Sequence, residues 1–289
     1  MPAATPRTLR GEVTARLRRA GIPGDEARLD AELLVREALG RWDRARMIAH
    51  DTDPAPQEVA TRLEALAARR AAREPMAYVL GRAEFWGLEF ETGPGVLVPR
   101  PETELIVERV RGLFEGTAGP RHVADVGTGS GCLAVALAHM FPSTRVTATD
   151  ISPAAIEVAR RNARRHGVEP RITFRERAFT GQAGGCDLIV SNPPYVPEGD
   201  RAMLQPEVRD HEPPAALFAG ADGLDVIRAL VPLAWNALDE AGGWLVFEFG
   251  AGQAEAVRAL LAGDRWAEVT IAPDLQGIPR VACARKRVA

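Results

Sequence analysis

Hydrophobic residues in the first part of the chain recur at the spacing of an amphipathic helix. They do so on two successive segments, Leu9, Val13 and Leu17, and then Leu29, Leu33, Leu34 and Leu39. Breaks at residues 21–24 (Gly-Ile-Pro-Gly) and 53–56 (Asp-Pro-Ala-Pro) separate the helices. We therefore predict helices from about Thr8 to Arg73 and assign residues 1–73 to an N-terminal helical domain. Its many arginines are mixed with carboxylates, which is typical of a solvated helical face.

Between residues 74 and 98 the pattern changes to glycines, prolines and aromatic residues. We predict a connector that contains a short hairpin, with Phe85 and Trp86 as packing residues. A further helix is expected to begin near Thr103, whose hydroxyl is a candidate helix cap.

The rest of the chain, residues 99–289, alternates short apolar runs with helical patterns. The predicted strands are His122–Val126, Arg145–Thr149, Arg171–Phe174, Asp187–Ser191, Trp244–Phe249, Ala267–Ala272 and Arg280–Ala284. The predicted helices are Cys132–Met140, Pro153–His166, Leu224–Leu238 and Gln253–Leu261. Ser152 is the expected N-cap of the helix that begins at Pro153. This alternation predicts an α/β domain with a mostly parallel sheet and helices on both faces.

Composition narrows the class of protein. A chain of 289 residues with 46% hydrophobic content can bury a sizeable core. Its formal net charge of −3 provides no global basic field for nucleic acid. Cys132, Cys186 and Cys283 have neither metal-ligand nor disulfide-framework spacing, and the five histidines form no ligand-like pairs. With no signal-peptide pattern and no membrane-length apolar run, we expect a cytoplasmic, soluble protein without a metal.

A glycine-rich loop lies between the first strand of the α/β region and its helix. It comprises Gly127, Thr128, Gly129, Ser130 and Gly131, and Cys132 occupies the place of the third glycine of a dinucleotide fingerprint. Glycines let backbone N–H groups and a helix N-terminus approach a ligand closely, although a tight structural turn is the alternative. The G-x-G-x-G form resembles S-adenosylmethionine-dependent methyltransferases of the Rossmann-like class.

Two aspartates accompany this loop. Asp150 ends the next predicted strand, 23 positions after Gly127, and its two oxygens can accept both hydroxyls of a ribose. A strand-end or capping role is the alternative for Asp150. Asp125, just before the glycines, either orients the loop or faces the methionine amino group of the cofactor. The expected acidic residue after the third strand is missing from Arg177-Ala178-Phe179, where Phe179 is a candidate to stack on adenine.

Asn192-Pro193-Pro194-Tyr195 directly follows the buried strand at 187–191. The two prolines stop the strand and stiffen the backbone, which fixes an amide side chain beside an aromatic ring. The Asn192 side-chain oxygen and the Pro193 carbonyl can accept hydrogen bonds from a planar NH2 group, on which Tyr195 can stack. We therefore predict substrate binding by all four residues, with Asn192, Pro193 and Tyr195 as the catalytic group and Asn192 also among the cofactor-binding residues.

Methyl transfer onto an amide or amino nitrogen follows from these motifs together. An exocyclic amine of nucleic acid, such as that of a flipped adenine, is the alternative acceptor, because the same tetrapeptide suits flipped bases. A ligand-free proline-rich loop and a non-catalytic binding module are the remaining alternatives.

Several segments make the chain resemble the peptide chain release factor glutamine methyltransferases, the HemK/PrmC family. The segments are 73–75, 78–81, 84–87, 98–104, 125–131, 191–196, 212–213, 216–217, 222–224 and 248–250, with Asp150, Gly220 and Gln253. The Pro-Arg-Pro-Glu-Thr-Glu run at 99–104 separates this family from other enzymes that share Asn-Pro-Pro-Tyr. One departure is Ile278-Pro279, where the family usually has a polar residue and an aspartate before Arg280.

The resemblance implies a Rossmann-like class I methyltransferase sheet with a small N-terminal helical domain that helps to hold the substrate. It implies S-adenosylmethionine as cofactor and N5-methylation of the glutamine in the Gly-Gly-Gln motif of release factors. We expect a monomer that does not act on membranes or nucleic acid. Glu248, Arg100 and Glu104 are expected to have structural roles, with Glu248 a packed or paired carboxylate at a strand end.

Overall fold

The computed structural model describes residues 4–180 and 185–288. The chain divides into two compact units. The first takes in the chain up to Arg82 together with Gln205–His211, and the second takes in Ala83–Leu204 and the chain from Glu212 onward. The sequence pattern predicts residues 205–211 to be part of the α/β domain at 99–289, whereas the structure places them in the helical unit. A functional division at residues 73 and 98 stays a prediction.

Within the described residues the chain forms eleven α-helices and nine strands. The helices are α1 (Pro6–Arg19), α2 (Gly24–Ala38), α3 (Arg44–Ala49), α4 (Gln57–Ala71), α5 (Met76–Leu80), α6 (Glu104–Leu113), α7 (Cys132–Met140), α8 (Pro153–Arg165), α9 (Pro206–His211), α10 (Asp225–Ala237) and α11 (Ala254–Leu260). The strands are β1 (Arg82–Phe85), β2 (Leu88–Glu91), β3 (His122–Val126), β4 (Arg145–Asp150), β5 (Ile172–Glu176), β6 (Leu188–Ser191), β7 (Trp244–Glu248), β8 (Trp266–Pro273) and β9 (Pro279–Lys286).

The first unit is helical, and its core lies between α1, α2 and α4. Leu17 and Leu34 are buried there, as the helical spacing of apolar residues predicted, and Leu63 of α4 packs in the same core. Gly21, with φ of 81°, terminates the first helical segment, because a left-handed backbone conformation suits glycine. The helical character of this part of the chain is confirmed.

A buried ion network attaches α9 to the helical unit. The Arg70 guanidinium on α4 donates to Asp30 on α2 at 2.7 Å, to Glu26 at 2.6 Å and to Glu207 on α9 at 2.6 Å. Arg73 donates to the other oxygen of Glu207 at 2.7 Å. The Arg70 side chain is only 2% exposed. Because water hardly solvates its charge, the charge is balanced mainly by these carboxylates.

The second unit is built on a seven-stranded sheet in the order β5-β4-β3-β6-β7-β9-β8. Strands β3 to β7 pair in parallel, and β9 is antiparallel to β7 and β8. The predicted mostly parallel sheet is therefore confirmed. Val126 at the end of β3 lies opposite both Thr149 of β4 and Ser191 of β6. This register brings the segments that follow three strands to the same edge of the sheet, where open α/β sheets bind ligands.

Helices cover both faces of this sheet. Leu188 and Val190 of β6 face the cluster that contains residues of α6 and α7, whereas Ile189 faces the cluster of α10 and α11. The alternation follows from the period of two along a strand.

The predicted hairpin is formed by β1 and β2. Trp86 and Gly87 connect the strands with φ of 54° and 70°, which is the geometry of a type I′ turn. The Trp86 N–H donates to Glu104 Oε1 at 2.8 Å, so Glu104 has the structural role that the sequence suggested.

Candidate active site

A cavity of about 620 Å³ lies at the carboxyl ends of β3, β4 and β6. Its volume is in the range of small-molecule and cofactor sites. The predicted residues that line it are Gly127, Thr128, Gly129, Asp150, Phe179, Asn192 and Pro194. The sequence motifs that lie far apart along the chain are thus brought together around one space.

The glycine loop forms one wall of the cavity and packs against α8. Gly127, Gly129 and Gly131 all have positive φ, at 72°, 54° and 82°. A Cβ atom on Gly131 would lie 2.9 Å from the Cβ of Ala159, so only glycine allows this approach of loop and helix. A Cβ at Gly127 or Gly129 would meet open space. The backbone there is exposed to the cavity, as an S-adenosylmethionine site requires.

Asp150 holds the rim of the cavity through both of its carboxylate oxygens. Oδ2 accepts the Gly129 N–H and Oδ1 accepts the Ser152 N–H, each at 2.9 Å. An ionised carboxylate oxygen has two lone pairs, so each can accept one further donor. Ser152 caps α8 through the Ala155 N–H, which confirms the predicted cap. Capacity for a ribose diol remains, and ribose binding stays a prediction.

Asp125 lies behind the glycine loop and does not line the cavity. Its Oδ2 accepts the Thr128 hydroxyl at 2.6 Å and the Ala134 N–H at 3.1 Å, an arrangement that orients the loop. Its Oδ1 is buried and has no hydrogen-bond partner in the described part of the chain. Burial raises the pKa of Asp125 to about 7, with a smaller upward contribution from the charge of Asp150. A contact between Asp125 and the methionine amino group stays a prediction.

The raised pKa of Asp125 predicts a pH dependence of stability. Because the folded pKa of about 7 exceeds the ordinary value of 3.8, the stabilising contribution is complete below about pH 4 and is lost as pH rises through 7. We expect the wild-type protein to lose on the order of 1 to 2 kcal/mol through this group between pH 5.5 and 7. Asp125→Asn should flatten that slope in urea unfolding series, since the other titrating groups are common to both proteins. Parallel slopes in the two proteins would contradict this assignment.

A chain of hydrogen bonds holds Asn192 from behind. Its Nδ2 donates to Thr103 Oγ1 at 2.8 Å, and the Thr103 hydroxyl donates to Glu248 Oε2 at 2.7 Å. The other oxygen of Glu248 accepts the Tyr195 hydroxyl at 2.8 Å. Glu248 is thus a buried, paired carboxylate at the end of β7, as expected. The predicted helix cap at Thr103 is wrong: this residue, with φ of −67° and ψ of −22°, ends a 3-10 turn and makes no capping bond.

The Asn-Pro-Pro-Tyr segment presents only part of itself to the cavity. Asn192 and Pro194 line it, whereas Pro193 is buried and Tyr195 packs against the cluster of α10 and α11. The Tyr195 carbonyl accepts the Gln253 side-chain amide at 3.0 Å, which fixes the far end of the loop. Hydrogen bonding by the Pro193 carbonyl and stacking by Tyr195 stay predictions.

The structure adds cavity walls that residue patterns did not identify. They comprise residues 95–100, Thr103, Pro213, Ala215, Ala216 and, on α10, Val226, Ala229, Leu230 and Leu233. Arg100 forms an ion pair with the buried Glu212 at 2.6 Å. Only the resemblance at 98–104, 212–213 and 216–217 indicated some of these residues. Arg177, Ala178 and Phe179 also line the cavity, and stacking of Phe179 on adenine stays a prediction.

Comparisons with known proteins agree with this architecture. Sequence profiles of the PrmC N-terminal domain and of the methyltransferase small domain match residues 8–81 and 102–206. The release factor glutamine methyltransferase of Geobacter sulfurreducens is 45% identical over 263 residues, which is 90% of each chain. That of Bradyrhizobium diazoefficiens is 44% identical over 284 residues, 96% of this chain and 93% of its own. The chain belongs to the release factor glutamine methyltransferase family.

Solved structures share the fold of this release factor glutamine methyltransferase family member. A methyltransferase from Pyrococcus furiosus is 20% identical with a TM-score of 0.51, over 76% of this chain and 96% of its own. The hMettl16 catalytic domain, solved in complex with the MAT2A 3'UTR hairpin 6, is 16% identical with a TM-score of 0.56, over 76% of this chain and 81% of its own. At these identities the likeness establishes the class I methyltransferase fold alone.

Neither a metal cluster nor a membrane-spanning helix is found in the described residues of this family member. No group of three or more His, Cys, Asp or Glu side chains is placed to hold a metal ion in 4–180 and 185–288. No helix in the same ranges combines the length and the apolar character needed to cross a bilayer.

Proposed function

We propose that this enzyme transfers a methyl group from S-adenosylmethionine to the side-chain amide nitrogen, N5, of the glutamine in the Gly-Gly-Gln motif of peptide chain release factors. One observation carries the proposal: Asn192 is held by its NH2 group, beside a glycine-walled cavity at the strand ends. The enzyme acts as a monomer in the cytoplasm, where release factors work. Its formal net charge of −3 does not favour a nucleic acid acceptor.

The residues around the cavity fit the cofactor. The backbone at Gly127 and Gly129 allows close approach, and the Asp150 carboxylate has free lone pairs for a ribose diol. Phe179 offers a flat surface for adenine. When bound, S-adenosylmethionine supplies a methyl group that its sulfonium has already activated.

Positioning is the main task of the protein in this reaction. An amide nitrogen is a poor nucleophile, because its lone pair is delocalised into the carbonyl. Asn192 Oδ1 and the Pro193 carbonyl accept hydrogen bonds from the two N–H groups of the acceptor amide and so orient its lone pair. Positioning of this kind can lower the activation barrier by on the order of 7–11 kcal/mol. Held by these two acceptors, the nitrogen would receive the methyl group that bound S-adenosylmethionine would supply, and the electron pair of the broken C–S bond would stay on the cofactor. The methylated nitrogen would then release a proton to water. Because the proton leaves after the transfer, no general base is needed before it.

The decisive experiment uses purified release factor as acceptor. We expect incubation with enzyme and S-adenosylmethionine to add one methyl group to the Gly-Gly-Gln peptide, located on the glutamine by fragment-ion mass spectrometry. A release factor with alanine in place of that glutamine is the matched control and should stay unmodified. DNA and RNA are incubated in parallel with labelled cofactor. Label in nucleic acid alone would overturn the proposal in favour of a flipped-base acceptor.

A further inference from the structure

The hydrogen bonds behind Asn192 connect this side chain of the cavity wall, through the Thr103 hydroxyl, to the carboxylate of Glu248. Resting on the proposed function, we propose that Glu248, through Thr103, is a positioning residue that fixes which end of the Asn192 amide faces the acceptor. By turning the oxygen outward, it restricts the site to acceptors that carry an NH2 group.

The direction of each hydrogen bond follows from the carboxylate. The hydroxyls of Thr103 and Tyr195 donate to the two oxygens of Glu248 at 2.7 and 2.8 Å, which is the arrangement that an ionised carboxylate, an acceptor only, requires. The only hydroxyl proton of Thr103 is then engaged in the hydrogen bond to Glu248. Toward Asn192 the Thr103 oxygen can therefore act only as an acceptor. The end of Asn192 that faces Thr103 must therefore be its NH2 group. Oxygen and nitrogen of an amide are distinguished by such networks, and with Glu248 ionised the network has a single consistent direction.

Burial makes this arrangement firm. Thr103 and Glu248 are each about 1% exposed, so no bulk water competes for their hydrogen bonds. Burial, with a smaller contribution from the charge of Glu102, raises the pKa of Glu248 above its ordinary value. The hydroxyls of Thr103 and Tyr195 and the charge of Arg280 oppose this rise, because they favour the ionised form. A flipped Asn192 would place its oxygen against a Thr103 oxygen that has no proton to offer. An unmade bond of this kind is costly in a buried site, so the flipped state is disfavoured.

The consequence is chemical selectivity. In the described part of the chain no donor contacts Asn192 Oδ1, which leaves it to accept from a ligand. An outward oxygen suits an N–H donor, whereas an outward NH2 group would suit a carbonyl or a carboxylate. During methyl transfer the nitrogen becomes more positive. A hydrogen-bond chain that ends in an anion makes the Asn192 oxygen a stronger acceptor at that moment.

Substitutions at Thr103 and Glu248 test the proposal. We expect Thr103→Val and Glu248→Gln to lower kcat about 10- to 100-fold, by analogy with the loss when the residues that orient metal ligands are replaced. The KM for release factor and the Kd for S-adenosylmethionine should change far less, because ground-state contacts remain. Thr103→Ser retains the hydroxyl and should recover most of kcat. Thr144→Val, which removes another fully buried threonine hydroxyl, one that donates to the Pro120 carbonyl at 2.5 Å, is the matched control and should leave kcat unchanged.

A second measurement requires no acceptor. In protein labelled with ¹⁵N-asparagine, the side-chain NH2 signals of Asn192 are identified by their absence from Asn192→Ala. We expect slow hydrogen exchange of these signals in wild type and in Thr103→Ser, and fast exchange in Thr103→Val. Full kcat in Thr103→Val, or equal losses in Thr103→Ser and Thr103→Val, would overturn the positioning role. A wild-type enzyme that leaves the release factor unmodified while its Asn192 NH2 is protected would overturn the proposed acceptor and leave the positioning of Asn192 standing.

Discussion

Asn192→Ala is expected to lower kcat for release factor methylation by at least about 100-fold, the cost of losing one preorganised hydrogen-bonding group at a reacting centre. The substitution removes the Oδ1 acceptor and leaves Thr103 without the amide that it accepts at 2.8 Å. The glycine loop and Asp150 hold each other through the 2.9 Å bond from Gly129, which does not involve Asn192. Affinity for S-adenosylmethionine, measured by calorimetry, should therefore change little.

The exposed Asn236, on α10, supplies the control for this experiment. Asn236→Ala makes the same chemical change away from the cavity and should retain wild-type kcat and cofactor affinity. Full activity of Asn192→Ala would exclude the proposed catalytic role. Loss of cofactor affinity in Asn192→Ala, in the absence of unfolding, would instead assign the side chain mainly to cofactor binding.

Arg70→Ala is expected to destabilise the helical unit by about 3–5 kcal/mol, because it leaves buried carboxylates without their cation. Asp30 and Glu207 both accept from Arg70 and lie in the interior of this unit. Burial raises the pKa of Asp30, and removal of Arg70 takes away a charge that lowers it, so the loss of stability should become smaller as the pH falls from 7.5. Hydrogen exchange of peptides from α2, α4 and α9 would measure the effect locally, and urea unfolding would measure it globally.

Arg16→Ala is the matched control for Arg70→Ala. Arg16 pairs with Glu64 at 2.7 Å, but that glutamate side chain is 70% exposed. Surface pairs of this kind contribute about 0–1 kcal/mol. Equal losses in the two variants would mean that burial of Arg70 adds nothing. Arg70→Ala exchange that increases only in α4, and not in α9, would contradict the attachment through Glu207.

Sequence patterns predicted strand bounds, a helix cap and a hairpin, because each of these features depends on residues that are close together along the chain. Strand β3 begins and ends where the apolar run predicted it, at His122 and Val126. The cap of α8 by Ser152 and the hairpin near Trp86 depend on neighbouring residues and were also predicted. Helical periodicity identified the helices of the first unit but not every buried face. Leu29, one of the periodic leucines, is 60% exposed, since α2 buries the side that contains Ala27 and Leu34.

The candidate site was predicted where the residues belong to contiguous motifs. The glycine loop, Asp150 and Asn192 meet at one sheet edge because parallel strands end there together. Thr103 illustrates the opposite case. Capping rules consider only sequence neighbours, whereas the Thr103 hydroxyl donates its hydrogen bond to Glu248, 145 positions away. Likewise, no periodic signal near residue 207 indicates that Glu207 pairs with Arg70, because the two are distant along the chain.

The placement of α9 in the helical unit bears on how the protein folds during synthesis. Arg70 and Glu207 are separated by 137 residues. At the usual elongation rate of about 5–20 residues per second, roughly 7 to 27 seconds pass between the synthesis of the two. During that interval α4 has already been synthesised, but the Arg70 guanidinium cannot yet pair with Glu207. The helical unit, although first to emerge, is therefore completed only after most of the parallel sheet has been made.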